Sequence, residues 1–129
     1  MIVYAFDEQQ GLKELKQTLT QILGSELQFR GFTSASELLK IAEQERYDVV
    51  FADLEIQNRK GMYLLGELCF NFPRTNYIGA AVNQTNEDAL TLFKICAAGY
   101  IPKPYDKETL EYSLAHLRYP IDQALDKYK

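Results

Sequence analysis

Five short apolar runs alternate with five segments of helical periodicity along this chain, and that rhythm limits the folds open to it. Ile2 to Phe6 reads as a buried strand that stops at Asp7 and Glu8. Leu12, Leu15, Leu19, Ile22 and Leu23 recur at helical spacing, and Gly24 closes that helix. Glu26 to Phe32 alternates as a second strand. Ser34 and Glu37 then give a capping-box signal for a helix carrying Leu38, Leu39, Ile41 and Ala42. Tyr47 to Ala52 is a third strand, and its run Val49-Val50-Phe51 suits burial on both faces of a parallel sheet. It too ends at an acid, Asp53. Gly61 precedes a helix with Met62, Leu65, Leu68 and Cys69, and Pro73 breaks the chain before a fourth strand, Tyr77 to Val82. Thr85 and Asp88 begin a helix through Ala97, with Gly99 as its stop. Tyr100 and Ile101 form a short fifth strand before Pro102-Lys103-Pro104. Asp106 caps a last helix through Leu110, Leu114 and Leu117, ended by Pro120.

Alternating strands and helices predict an open, mostly parallel α/β sheet, and right-handed crossovers leave few topologies for it. The five-stranded doubly wound order 2-1-3-4-5, the flavodoxin-like arrangement, is the expected one. A length of 129 residues suits one domain, placed at 1–120, with 121–129 a polar tail or the start of a linker to an effector domain. With 14 basic against 18 acidic residues, the net charge of −4 argues against nucleic acid as a partner of this segment. No apolar run approaches the ~20 residues that span a bilayer, so no membrane contact is expected. Met1 to Phe6 lead directly into a strand without a basic leader, so no signal peptide is expected. Cys69 and Cys96 read as small buried apolar residues rather than a disulfide or metal pair, and the expected setting is the reducing cytoplasm.

The acids carry the chemistry. In the expected strand order, strands 1 and 3 flank the switch point, where open α/β sheets bind ligands beyond their carboxyl ends. Asp7, Glu8 and Asp53 stand at those two ends, so three carboxylates are expected together. Like charges that close need a counter-charge, and an all-oxygen site suits Mg²⁺. Lys103 follows strand 5 and reaches over the same edge as a second cation. As an exposed lysine it is expected to contribute little to stability. A metal, a lysine and a carboxylate are the parts that move a phosphoryl group onto an aspartate.

With these residues in order, the chain resembles the receiver domain of two-component response regulators from about Ile2 to Leu117. The carrying motifs are Phe6-Asp7-Glu8, Asp53-Leu54-Glu55 through Gly61, and Gly99-Tyr100-Ile101-Pro102-Lys103-Pro104. The resemblance implies that Asp53 is the phosphoacceptor and that Asp7 and Glu8 are the Mg²⁺-binding acidic pair, directly or through water. It implies the backbone carbonyl of Glu55 as a further ligand and Lys103 as the lysine that pairs with the phosphoryl group. Lys103-Pro104 resembles the family's dipeptide, often cis, and Tyr100 its aromatic switch residue. The implied partner is a histidine kinase or phosphotransfer protein, and a homodimer is allowed. The implied role is signalling through self-phosphorylation and self-dephosphorylation rather than enzymatic turnover.

Three departures stand out, the first being the side-chain carboxylate that Glu55 adds next to the site, expected to alter metal affinity or dephosphorylation. The family's hydroxyl at the end of strand 4 falls on Ala81, which has no side-chain donor. Gln57 stands where proline is common, so a looser loop after Asp53 is expected. Ala81 is also the best support for a rival reading, a receiver-like interaction module without regulated phosphorylation. A flavodoxin-type flavin site needs a glycine- and hydroxyl-rich loop after strand 1, and Asp7-Glu8-Gln9-Gln10-Gly11 is too acidic for a phosphate. An aspartate-nucleophile phosphatase wants a second acid where Gln9 stands. His116 is expected to be a surface or packing residue.

Overall fold

A strand covered on both faces must be apolar along its covered run, and residues 3–6, 49–52 and 77–81 meet that condition. The computed structural model describes residues 1–121, so all of the expected tail except Ile121 lies outside the described residues. The elements are β1 (Ile2–Phe6), α1 (Gln9–Leu23), a 3-10 turn (Gly24–Glu26), β2 (Gln28–Phe32), α2 (Ala35–Ala42), β3 (Val49–Asp53), α3 (Ile56–Asn71), β4 (Asn76–Ala81), α4 (Asn86–Lys94), β5 (Gly99–Pro102) and α5 (Lys107–Ala115). The five strands form one parallel sheet in the order β2-β1-β3-β4-β5, as the sequence predicts.

Side chains alternate across the sheet, and each face has its own core. Val3 and Ala5 of β1, with Val49 and Phe51 of β3, pack with Leu15 and Leu19 of α1 and Leu110 of α5. Tyr4 and Phe6, with Val50 and Ala52, pack with Leu38 of α2 and Leu64, Leu65 and Leu68 of α3. β3 and β4 are buried along their whole length, whereas the edge strand β2 is buried only at Phe32.

Helix starts follow the capping signals. The side chains of Ser34, Thr85 and Asp106 accept from the N–H groups of Glu37, Asp88 and Thr109 at 3.3, 3.1 and 2.8 Å. The end of α4 differs from expectation. It stops at Lys94, and Gly99 opens β5 instead of closing the helix. Cys96 is left-handed at φ 60°, with its N–H on Phe93 O and the N–H of Ala97 on Leu92 O, both at 3.0 Å. That is a Schellman closure with cysteine where glycine is usual. Cys96→Gly is therefore expected to raise stability by about 0.5–1 kcal/mol, read as a higher urea midpoint at constant slope. A lowered midpoint would show that the cysteine side chain outweighs its backbone strain.

The segment after Asp53 also departs from expectation. Gln57, Asn58 and Arg59 are all left-handed, at φ 53°, 58° and 64°, so α3 is regular only beyond them. Proline, fixed near −65°, cannot hold the conformation of Gln57. Nor is the segment loose. Gln57 Nε2 donates to Thr33 O at 2.8 Å, and Arg59 forms an ion pair with the largely buried Asp88 of α4.

Candidate functional site

Parallel register places the chemistry. Phe6 pairs with Ala52, so Asp7 leaves β1 beside Asp53 at the end of β3. Asp53 pairs with Ala80, and Ala81 with Pro102, so the chain delivers Lys103 to the same edge. The N–H of Lys103 on Ala81 O at 3.0 Å fixes that delivery, and the Lys103–Pro104 peptide is cis.

Three of the expected residues meet. Lys103 Nζ donates to Asp7 Oδ1 and Oδ2, both at 2.9 Å, and to Asp53 Oδ2 at 2.6 Å. Asp7 and Asp53 are 1% and 2% exposed, so these carboxylates have little water to stabilise them. Backbone dipoles help. The N–H of Glu8 donates to Asp7 Oδ1 at 2.7 Å, and those of Glu55 and Ile56 donate to Asp53 Oδ1 at 2.7 and 3.1 Å. Burial works against the charge of Lys103, and its bonds to Asp53 and Asp7 overcome that, holding its pKa above the ordinary 10.5. Its stabilising contribution is therefore complete below pH 10.5 and lost as pH rises through the higher folded value.

The lysine side chain is only 13% exposed, which corrects its reading as an exposed residue. The expected third carboxylate stands apart. Glu8 is exposed because it is the N-cap of α1, where the backbone leaves the strand direction. Among the described residues no three carboxylate, thiol or imidazole groups come close enough to hold a metal. Ala81 is fully buried. Tyr100 is half-buried, and its hydroxyl accepts from the N–H of Thr85 at 2.9 Å. The Glu55 side chain turns to the β4–α4 connection, where Oε1 accepts from the N–H of Val82 at 2.7 Å. His116 is exposed and stacks on Tyr112, in keeping with a packing role. Cys69 and Cys96 are both free and partly buried.

Sequence reasoning missed Tyr105 and Gly11. The buried Tyr105 hydroxyl donates to Asp7 Oδ2 at 2.7 Å, and burial together with the Asp7 charge pushes its pKa up. The available signal was a hydroxyl-bearing aromatic directly after Lys103-Pro104. A Cβ on Gly11 would stand 2.3 Å from Asp7 Oδ2, so only glycine lets α1 approach this carboxylate.

A divalent cation is the group that the sequence implies here. The donor chemistry fits, because two buried carboxylates already share one cationic group, the ammonium of Lys103, and every donor is oxygen. No helix among the described residues is long and apolar enough to cross a membrane.

The family model described as the response regulator receiver domain matches residues 2–115. The DNA-binding transcriptional regulator NtrC of Proteus hauseri is 29% identical over 93 residues, covering 69% of this chain and 20% of that protein. The chain thus spans about a fifth of that relative's length. A CheY-like receiver domain protein from Methanospirillum hungatei superimposes with a TM-score of 0.76 at 21% identity, over 98% of this chain and 96% of that one. A Burkholderia pseudomallei response regulator, solved with a phosphorylated aspartic acid, calcium and citrate, gives 0.70 at 22% identity, over 98% of this chain and 71% of that one. Fold, site placement and a family match over nearly all the described residues lead to one conclusion: the chain belongs to the response regulator receiver domains.

Proposed function

We propose that this receiver accepts a phosphoryl group on Asp53 from a phosphorylated histidine of a kinase or phosphotransfer protein. The observation that carries the reading is the single lysine ammonium shared by two buried carboxylates at the switch point of the sheet. An oxygen of Asp53 forms the new bond to phosphorus as the donor's N–P bond breaks. The histidine nitrogen keeps the electron pair and takes up a proton, leaving an acyl phosphate on Asp53. Lys103 stays beside the oxygens on which charge accumulates, where a fixed cation contributes most. The N–H groups of Glu55 and Ile56 hold the other Asp53 oxygen and so orient the nucleophile.

Asp7, Asp53 and the backbone carbonyl of Glu55 are the groups we assign to Mg²⁺, with Glu8 at the rim acting directly or through water. The ion, when bound, supplies neutralising charge to the phosphoryl oxygens. Residues 1–120 act as the signalling unit, and a domain joined beyond them would carry the output.

The test is incubation with a small acyl-phosphate donor, with and without Mg²⁺, followed by ³¹P NMR. Incorporation of one phosphoryl group that depends on Mg²⁺ is expected. No incorporation under either condition would overturn the reading in favour of an interaction module.

A further inference from the structure

We infer that Glu55 is a positioning residue that holds the β4–α4 connection closed and lets it go when Asp53 is phosphorylated. The inference rests on the acceptor reading of Asp53. Two successive backbone N–H groups, those of Val82 and Asn83, converge on Glu55 Oε1 at 2.7 and 3.2 Å. Asn83 Nδ2 adds a third bond, to Oε2, at 3.3 Å. Consecutive amides aimed at one point form an anion-binding concavity, and here the chain's own carboxylate fills it.

Packing does not hold this connection, because residues 82–85 are all exposed, Val82 at 64%. Nor does a hydroxyl at the end of β4, because Ala81 has none. The carboxylate thus ties this connection to the segment that follows Asp53. The same residue's N–H lies on Asp53 Oδ1 at 2.7 Å, so the tie begins at the acceptor itself.

Phosphorylation changes both sides of this balance. A phosphoryl group carries about −1.5 to −2 charge and three strong acceptor oxygens, where the bare carboxylate carries −1. The added charge repels Glu55, and the new oxygens compete for the same amides. The switch therefore runs through the release of Glu55 rather than through a strand-4 hydroxyl. The bond from Thr85 N–H to the Tyr100 hydroxyl joins the same connection to β5, and the Arg59–Asp88 pair joins the first turn of α4 to the turn after β3, so the release reaches both.

The experiment compares the unmodified protein with Glu55→Gln and Glu55→Ala, which leave the backbone carbonyl of Glu55 in place. Gln keeps the acceptor oxygen without the charge, and Ala removes both. Circular dichroism establishes that each variant is folded. Without ligand, hydrogen exchange at Val82 and Asn83 is expected to accelerate about ten-fold or more in Glu55→Ala and much less in Glu55→Gln. With beryllofluoride and Mg²⁺, both variants are expected to bind about ten-fold tighter than the unmodified protein, because no carboxylate has to be displaced. Equal exchange at Val82 and Asn83 in all three proteins would overturn the tie. Equal beryllofluoride affinity in all three would overturn its release by charge. Absence of beryllofluoride binding in every protein would instead overturn the acceptor reading, and the release with it, while the exchange result would still judge the tie by itself.

Discussion

Replacing Lys103 with alanine is expected to destabilise the fold by about 3–5 kcal/mol at neutral pH without divalent cations. The ammonium is the common partner of Asp7 and Asp53, which are 1% and 2% exposed. Removing it leaves two like charges facing each other out of water, and that unpaired state is the costly one. Asp53→Asn should remove most of the penalty, because one charge is then gone and the amide still accepts a hydrogen bond. In a double-mutant cycle, Lys103→Ala in the Asp53→Asn background should cost less than half of what it costs alone. Added Mg²⁺ should restore stability to Lys103→Ala by supplying the missing cation. Urea denaturation reads all of these. A loss under about 1 kcal/mol would place Lys103 among ordinary surface lysines.

Gly61→Ala is the second large effect. A Cβ at this position would lie 1.8 Å from the backbone oxygen of Asp53, and neither group belongs to a flexible side chain. Either α3 or the end of β3 must shift. The expected loss is roughly 3 kcal/mol, at the upper end for overpacking because the clash is with backbone. Displacing Asp53 should also slow phosphoryl uptake from a small donor. Gly66→Ala is the matched control. It lies in the same helix with nothing within 4 Å of the new Cβ, so it should stabilise by about 1 kcal/mol. Equal responses at the two positions would show that general helix propensity, not the approach to Asp53, governs this helix.

Much of this arrangement was legible in the residues. The unbroken apolar run Val49-Val50-Phe51 marked a central strand, and acids at the ends of β1 and β3 marked the edge that carries the site. Lys103 was legible as a charge near that edge, but its burial was not. Burial came from the carboxylates of two other strands, which no local pattern reports. The end of α4 was misplaced because Gly99 looked like a stop, whereas Cys96 takes the left-handed position. The same blindness hid the left-handed residues 57–59, which tertiary bonds to Thr33 and Asp88 hold in place. Glu8 appeared equivalent to Asp7 in sequence. One further residue carried it past the strand end to the N-cap of α1, where it is exposed. Tyr105 went unread because its hydroxyl finds Asp7 98 residues away.

The central claim is that Asp53 carries the phosphoryl group. An acyl phosphate on aspartate is reduced by borohydride to homoserine, which marks the modified position permanently. The protein is treated with an acyl-phosphate donor and Mg²⁺, quenched, reduced, digested and mapped by mass spectrometry. The account predicts homoserine at position 53 alone, and none anywhere in Asp53→Asn. Homoserine at another aspartate, or undiminished modification of Asp53→Asn, would contradict it.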